Sequence, residues 1–206
     1  LGHSSFFLQG KDKSVVTDPF EGIGFDMKRV SCDYCTVSHN HFDHNFTAGV
    51  NAKKIITSSE YGFIAIESYH DPRLGALRGE NRIFVFHIDG IKFCHMGDIG
   101  EPITDDLAEK IGKIDVLAIP VGGNYTIDAE EALRYVEKLK PETVIPMHYK
   151  TRRSNVDVDG KEKFLALFGG DRIKTAACKI ELESVGGDLS ADKLIGNVID
   201  FDDYAF

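Results

Sequence analysis

The chain of 206 residues is long enough for one large domain with a substantial core, and its 42% apolar and 28% charged content is ordinary for a globular fold. No apolar run approaches the roughly 20 residues that a membrane helix needs, so no membrane span is expected. The net charge of −9 argues against a general nucleic-acid binder, which needs a basic face, while leaving room for a local basic pocket.

The chain opens on Leu1-Gly2-His3-Ser4-Ser5-Phe6-Phe7 as if a strand were already under way, so a missing true N-terminus is expected. Phe6 to Leu8 and Val15 to Thr17 read as a hairpin around Gln9-Gly10-Lys11-Asp12-Lys13, stopped at Asp18-Pro19. Asp33 to Ser38, Lys54 to Thr57 and Phe63 to Glu67 read as strands, and His70 to Glu80 as a loop. Arg82 to His87 and Ile91 to Met96 flank Asp89-Gly90, a strong hairpin signal. The second half alternates. Thr104 caps a short helix, and Val116 to Val121 is a continuously apolar strand, as one covered on both faces should be. Asp128 with Glu131 forms a capping box for a helix that Pro141 ends. Thr143 to Met147 is a strand, Phe164 to Phe168 a helix, Lys179 to Glu183 and Ile195 to Phe201 further strands. Strands first, then alternating helix and strand, predict one α+β domain over residues 1–206, built as two sheets with helices outside. Of the four cysteines, Cys32 and Cys35 make a lone CxxC with no second pair to complete a zinc ribbon, and Cys35 and Cys94 fall in apolar runs. Free thiols used as small hydrophobes suit a reducing cytoplasm.

The chemistry concentrates in His39-Asn40-His41-Phe42-Asp43-His44, three imidazoles and a carboxylate within six residues. Such density is costly in a core unless a cation holds it together. In an extended backbone His39 and His41 can face the same way, while Asp43 and His44 turn toward a neighbouring point, so one segment can serve two metals. Imidazole and carboxylate suit zinc above all, with manganese or iron as alternatives. Gly97-Asp98 and His148 add a carboxylate and an imidazole, each at a strand end.

Together these segments resemble the metallo-β-lactamase superfamily, in particular its ascorbate-phosphate lactonase-like branch of small hydrolases. The resemblance runs through Gly2-His3-Ser4-Ser5-Phe6, Thr17-Asp18-Pro19, the HxHxDH run, Gly97-Asp98, Pro120-Val121-Gly122-Gly123 and Pro146-Met147-His148-Tyr149. It implies a four-layer αββα sandwich of two mixed β-sheets flanked by helices, with two divalent metals at one rim. His39 and His41 would bind the first metal, Asp43, His44 and His148 the second, and Asp98 would bridge them. The first metal's third histidine could be His70, His87 or His95. Strand alternation turns His95 away from Asp98, His87 lies too far along the ladder, and the family places this ligand where His70 stands. His3 and Asp18 would orient ligands or approach the substrate, with Asp43 and His3 counted as catalytic. The second loop position, a glutamate in oxygen-reducing diiron relatives, is His41 here, which favours hydrolysis over redox chemistry.

The resemblance thus implies a metal-dependent hydrolase in which a hydroxide shared by two metals attacks a small lactone or phosphoester-type substrate. Lys150, Arg152 and Arg153, directly after His148, could hold an anionic group on that substrate, and Tyr125 could border the pocket. The competing readings are an RNA- or DNA-processing nuclease of the same superfamily, weakened by the acidic charge, and a non-catalytic metal-binding interaction protein.

Overall fold

The computed structural model describes residues 1–176, 179–182 and 197–201. Four strands, β1 (Phe7–Gln9), β2 (Ser14–Thr17), β3 (Val30–Thr36) and β4 (Val50–Ile56), form one sheet in that order. The hairpin pairs β1 and β2 antiparallel, with Leu8 opposite Val15, while β2, β3 and β4 run parallel. Seven strands form the second sheet: β5 (Ile64–Tyr69), β6 (Glu80–Ile88), β7 (Ile91–His95), β8 (Val116–Pro120), β9 (Thr143–Met147), β10 (Ile173–Ala176) and β11 (Asn197–Phe201). Their order is β10-β11-β9-β8-β7-β6-β5. The Asp89-Gly90 hairpin and the β5–β6 pair are antiparallel, and every other pairing is parallel. Two mixed sheets make the α+β sandwich that the sequence predicts.

Side-chain chemistry accounts for the elements. β8 is buried at all five positions and pairs on both edges, which its unbroken Val-Leu-Ala-Ile-Pro run allows. Thr104 accepts from Leu107 N at the start of α1 (Asp105–Ile111). Asp128 accepts from the amides of Glu130 and Glu131 at the start of α2 (Ala129–Leu139), and Lys140 turns left-handed ahead of Pro141. Only half of the expected capping box forms, because the Glu131 carboxylate pairs with Arg134 rather than reaching back. The third helix, α3 (Glu162–Leu165), packs on α2. Among the described residues all three helices come from the second half of the chain, and the connection from β3 to β4 runs through the Ser38–His44 loop to a 3-10 turn, Thr47–Gly49.

Two sequence readings need correction. Lys179 to Leu182 carries no strand, and Glu183 lies outside the described residues. The pairing partner of β11 is instead Ile173–Ala176, a segment whose alternation is too short to announce itself. Strands β3 and β4 also begin several residues earlier than predicted, since exposed polar Ser31 and Asn51 interrupt their apolar starts. Cys32, Cys35 and Cys94 are buried free thiols, and Cys178 lies outside the described residues. Among the described residues no helix is long and apolar enough to cross a membrane.

The topology has one consequence for chemistry. Strands β2 and β3 point the same way in their sheet, and β5, β7, β8 and β9 point the same way in theirs. The residues that follow their C-terminal ends are Asp18, the Ser38–His44 loop, His70, Asp98, the Gly122–Tyr125 loop and His148.

Candidate metal centre

The polar residues at these strand ends converge. The ligand-capable atoms of His39, His41 and His70 lie within 4.8 Å of one another, and so do those of His3, Asp43, His44 and His148. Between the two groups stands Asp98. Its Oδ2 is 3.1 Å from His44 Nε2, 3.1 Å from His70 Nε2, 3.3 Å from His148 Nε2 and 3.8 Å from His39 Nε2. All of these side chains except His41 and Asp43 are buried or nearly so, and exposed His41 and Phe42 mark the open side.

The backbone is bent to bring them there. His3, Asp18 and His148 all hold positive φ (54°, 38° and 51°), a strained choice for residues with a β-carbon. Gly97 is at φ 55°, and a β-carbon there would lie 2.3 Å from Asn81 Oδ1 and 2.7 Å from Ser38 Cβ, so only glycine fits ahead of Asp98. Asn81, buried in β6, accepts from Asp98 N at 2.9 Å and donates to Met96 O at 2.9 Å, pinning the turn that carries the carboxylate. The loop after His70 folds over buried Asp71, whose carboxylate accepts from the amides of Arg73, Leu77 and Arg78. Sequence reading missed Asn81, Asp71 and the part played by Ser38. The signal for Asn81 was faint, since it stands between charged Glu80 and Arg82 ahead of the apolar run of β6.

Hydrogen bonds fix which nitrogen of each ring is free. His70 Nδ1 lies 3.1 Å from Tyr125 O, and a carbonyl only accepts, so the proton is on Nδ1 and Nε2 keeps its lone pair. His44 Nδ1 lies 2.9 Å from Asp18 Oδ2, with the same result. Their free Nε2 atoms both aim at the Asp98 carboxylate, an acceptor facing acceptors. Such an arrangement is repulsive unless protons or a cation lie between them. The buried Nε2 of His39, Nε2 of His44 and Oδ1 of Asp98 have no hydrogen-bond partner.

The electrostatics agree. Burial alone would raise the Asp98 carboxyl, but the imidazoles of His148 and His44 outweigh it and hold it well below the usual range. Burial would lower His44, but Asp98 and Asp18 together raise it well above the ordinary value. His70 is likewise raised, burial being outweighed by Asp98. Burial, then His44, push His39 down to about 3, and burial, then His148, push His3 down to about 4. The centre therefore draws positive charge toward Asp98 while keeping other imidazoles neutral. That donor set, nitrogen and carboxylate oxygen around unpartnered buried atoms, fits divalent cations.

The other sequence-flagged residues are dispersed. His95 is fully buried, with Nε2 2.8 Å from Ser4 O and Nδ1 accepting from Gly97 N at 3.3 Å, so both nitrogens are engaged away from the centre. His87 is exposed on the β6–β7 hairpin. His3, expected to orient ligands or approach the substrate and counted as catalytic, lies within the centre: Nε2 is 3.3 Å from Asp43 Oδ2 and its ring is 4.3 Å from that of His148. Lys150 Nζ donates to Val156 O at 2.8 Å. Arg152 is exposed. The Arg153 guanidinium lies 4.9 Å over Phe25. Arg153 and His3 both line a cavity of about 700 Å³, with Phe6, Phe25, Pro146 and Tyr149 on its walls. Tyr125 lies beneath the Arg78 guanidinium on the far side of His70.

Comparison with known proteins gives a consistent result. A family model described as the beta-lactamase superfamily domain matches residues 1–148. The chain is 30% identical over 188 residues to a UPF0173 metal-dependent hydrolase of Pyrococcus abyssi, covering 73% of this chain and 83% of the relative. It is 28% identical over 188 residues to a UPF0173 metal-dependent hydrolase of Carboxydothermus hydrogenoformans, with the same coverage of 73% and 83%. Among solved structures, a candidate Zn-dependent hydrolase of the metallo-β-lactamase superfamily from Thermotoga maritima superposes with a TM-score of 0.76 at 34% identity, covering 97% of this chain and 95% of that one.

Proposed function

The chain belongs to the metallo-β-lactamase superfamily, and from that premise we propose that it is a hydrolase working through two divalent metal ions, zinc first among them, on a small ester-like substrate. The observation that carries this reading is the set of free imidazole nitrogens aimed at Asp98. His39, His41 and His70 would hold one ion, Asp43, His44 and His148 the other, with Asp98 reaching both. When bound, such ions lower the pKa of water toward neutrality and polarise a carbonyl or phosphoryl oxygen.

The chain's own residues do the rest. Asp18 and the Tyr125 carbonyl hold the Nδ1 atoms of His44 and His70, so that Nε2 is the atom each ring presents to a metal. Neutral His3, its ring tilted against that of His148, sits against Asp43 and orients that carboxylate, the most exposed oxygen donor of the centre. Substrate would approach over His41 and Phe42. Lactones and phosphoesters suit this arrangement. We take the single domain to work in the cytoplasm, a compartment that its buried free thiols favour.

Within this proposal an anionic part of the substrate would meet Arg153, which shares the large cavity with His3. Lys150 and Arg152, neighbours of Arg153 in sequence, would add positive charge, while Tyr125 borders a separate cleft beside Arg78. Arg153→Ala is expected to raise KM for an anionic substrate more than tenfold with kcat little changed, because one charged hydrogen bond is worth roughly 1.5–3 kcal/mol. The test of the whole reading is a turnover screen of zinc- and manganese-loaded protein against lactones, phosphodiesters, thioesters and β-lactams. Hydrolysis that chelator abolishes and metal restores supports it. The absence of turnover on every class counts against it.

A further inference from the structure

The Ser38 hydroxyl lies between a buried carboxylate and a candidate ligand. Its Oγ is 2.5 Å from Asp18 Oδ2 and 2.9 Å from His39 Nδ1. Asp18, fully buried, also receives the Ser38 backbone N–H at 2.8 Å and His44 Nδ1 at 2.9 Å. With these donors around it, Asp18 has only the role of acceptor, so it takes the one proton that Ser38 Oγ owns. Ser38 Oγ is then left with lone pairs toward His39, and the hydrogen bond between them requires the proton to sit on His39 Nδ1. The His39 lone pair is thereby placed on Nε2, the atom 3.8 Å from Asp98. Among the described residues no other hydrogen bond holds the His39 ring nitrogens.

We propose that Ser38 is a positioning residue that passes the orienting effect of Asp18 to His39, so that one buried carboxylate sets a histidine of each trio: His44 directly and His39 through the hydroxyl. The inference rests on the metal-binding reading above. It is asymmetric. Removing the hydroxyl cuts His39 loose but leaves Asp18 bonded to His44 and to the Ser38 amide.

The test is a zinc titration against a competing chelator, with the parent, Ser38→Ala, His70→Ala and, as a control, Ser4→Ala, whose buried hydroxyl has no hydrogen-bond partner. His70→Ala identifies the ion held by the first trio. Ser38→Ala is expected to weaken that same ion about 10–100-fold, the usual cost of losing a partner behind a metal-bound imidazole, and to change the other far less. Ser4→Ala should match the parent. Imidazole ¹⁵N spectra of the zinc-loaded parent should show His39 protonated at Nδ1 in a slowly exchanging hydrogen bond, and that N–H signal should weaken or vanish in Ser38→Ala while the His44 signal persists. A parent that binds two ions beside a Ser38→Ala that binds both as tightly, or loses both equally, overturns the inference alone. A parent that binds no zinc overturns the metal-binding reading and the inference with it.

Discussion

Replacing Asp98 by asparagine is expected to strip metal from both halves of the centre and to lower kcat/KM on any hydrolysed substrate by more than about 100-fold, the upper end of what losing a mere supporting partner costs. Asp98 is the carboxylate that reaches both trios, with His44, His70 and His148 all within 3.3 Å of one oxygen. An amide keeps the shape but halves the acceptors and removes the charge that draws cations in. The turn itself should survive, because it is held through the Asp98 backbone N–H on Asn81 and not through the carboxylate. The metal-free variant is expected to unfold below the parent's temperature, since the imidazoles that hold the Asp98 carboxyl low lose the buried charge they pair with. Metal content, turnover and a thermal melt in chelator check the three parts. A folded Asp98→Asn that retains two ions and parental turnover would place the centre elsewhere.

The second large effect separates two histidines that the sequence leaves in competition. His70→Ala is expected to weaken one ion by more than about 10–100-fold, with a stability cost of its own because the buried ring bonds Tyr125 O. His95→Ala should cost stability and leave both ions bound. Its ring bonds Ser4 O and Gly97 N in a site with no exposure, so truncation leaves a cavity and two unsatisfied backbone groups. The expected cost is about 2–4 kcal/mol of stability with both ions retained. Equilibrium denaturation and elemental analysis on the two variants read both quantities. Metal loss in His95→Ala with full occupancy in His70→Ala would reverse the assignment.

The contrast shows what the sequence could carry. Strand period alone puts His95 and Asp98 on opposite faces, and the structure finds His95 turned to the Ser4 carbonyl beneath the centre. The HxHxDH run, Asp98 and His148 were readable because each stands directly after a strand, and parallel strands deliver their ends to one edge. What the sequence hid was contact made across the fold. Ser38 reads as one more small residue before the loop, and only the approach of Asp18, twenty positions earlier, gives its hydroxyl a task. Asn81 acts through Asp98, and Asp71 through amides up to seven residues on. The left-handed turns at His3, Asp18 and His148 carry no local signature, since none is glycine or asparagine. Lys150, Arg152 and Arg153 show how little sequence adjacency says about placement. Adjacent in sequence, they part in space, one to a loop carbonyl and one to an aromatic ring. The Lys179 to Glu183 strand failed because a short alternating run is a weak signal beside the pairing that β11 finds at Ile173–Ala176.

The most direct measurement is the metal content of the protein itself, purified without chelator and again after reconstitution with zinc, manganese or iron. Two trios joined by Asp98 predict a value approaching two ions per chain, with proton release on loading as the imidazoles that face Asp98 exchange protons for metal. A reproducible value of zero with all three metals would contradict the account.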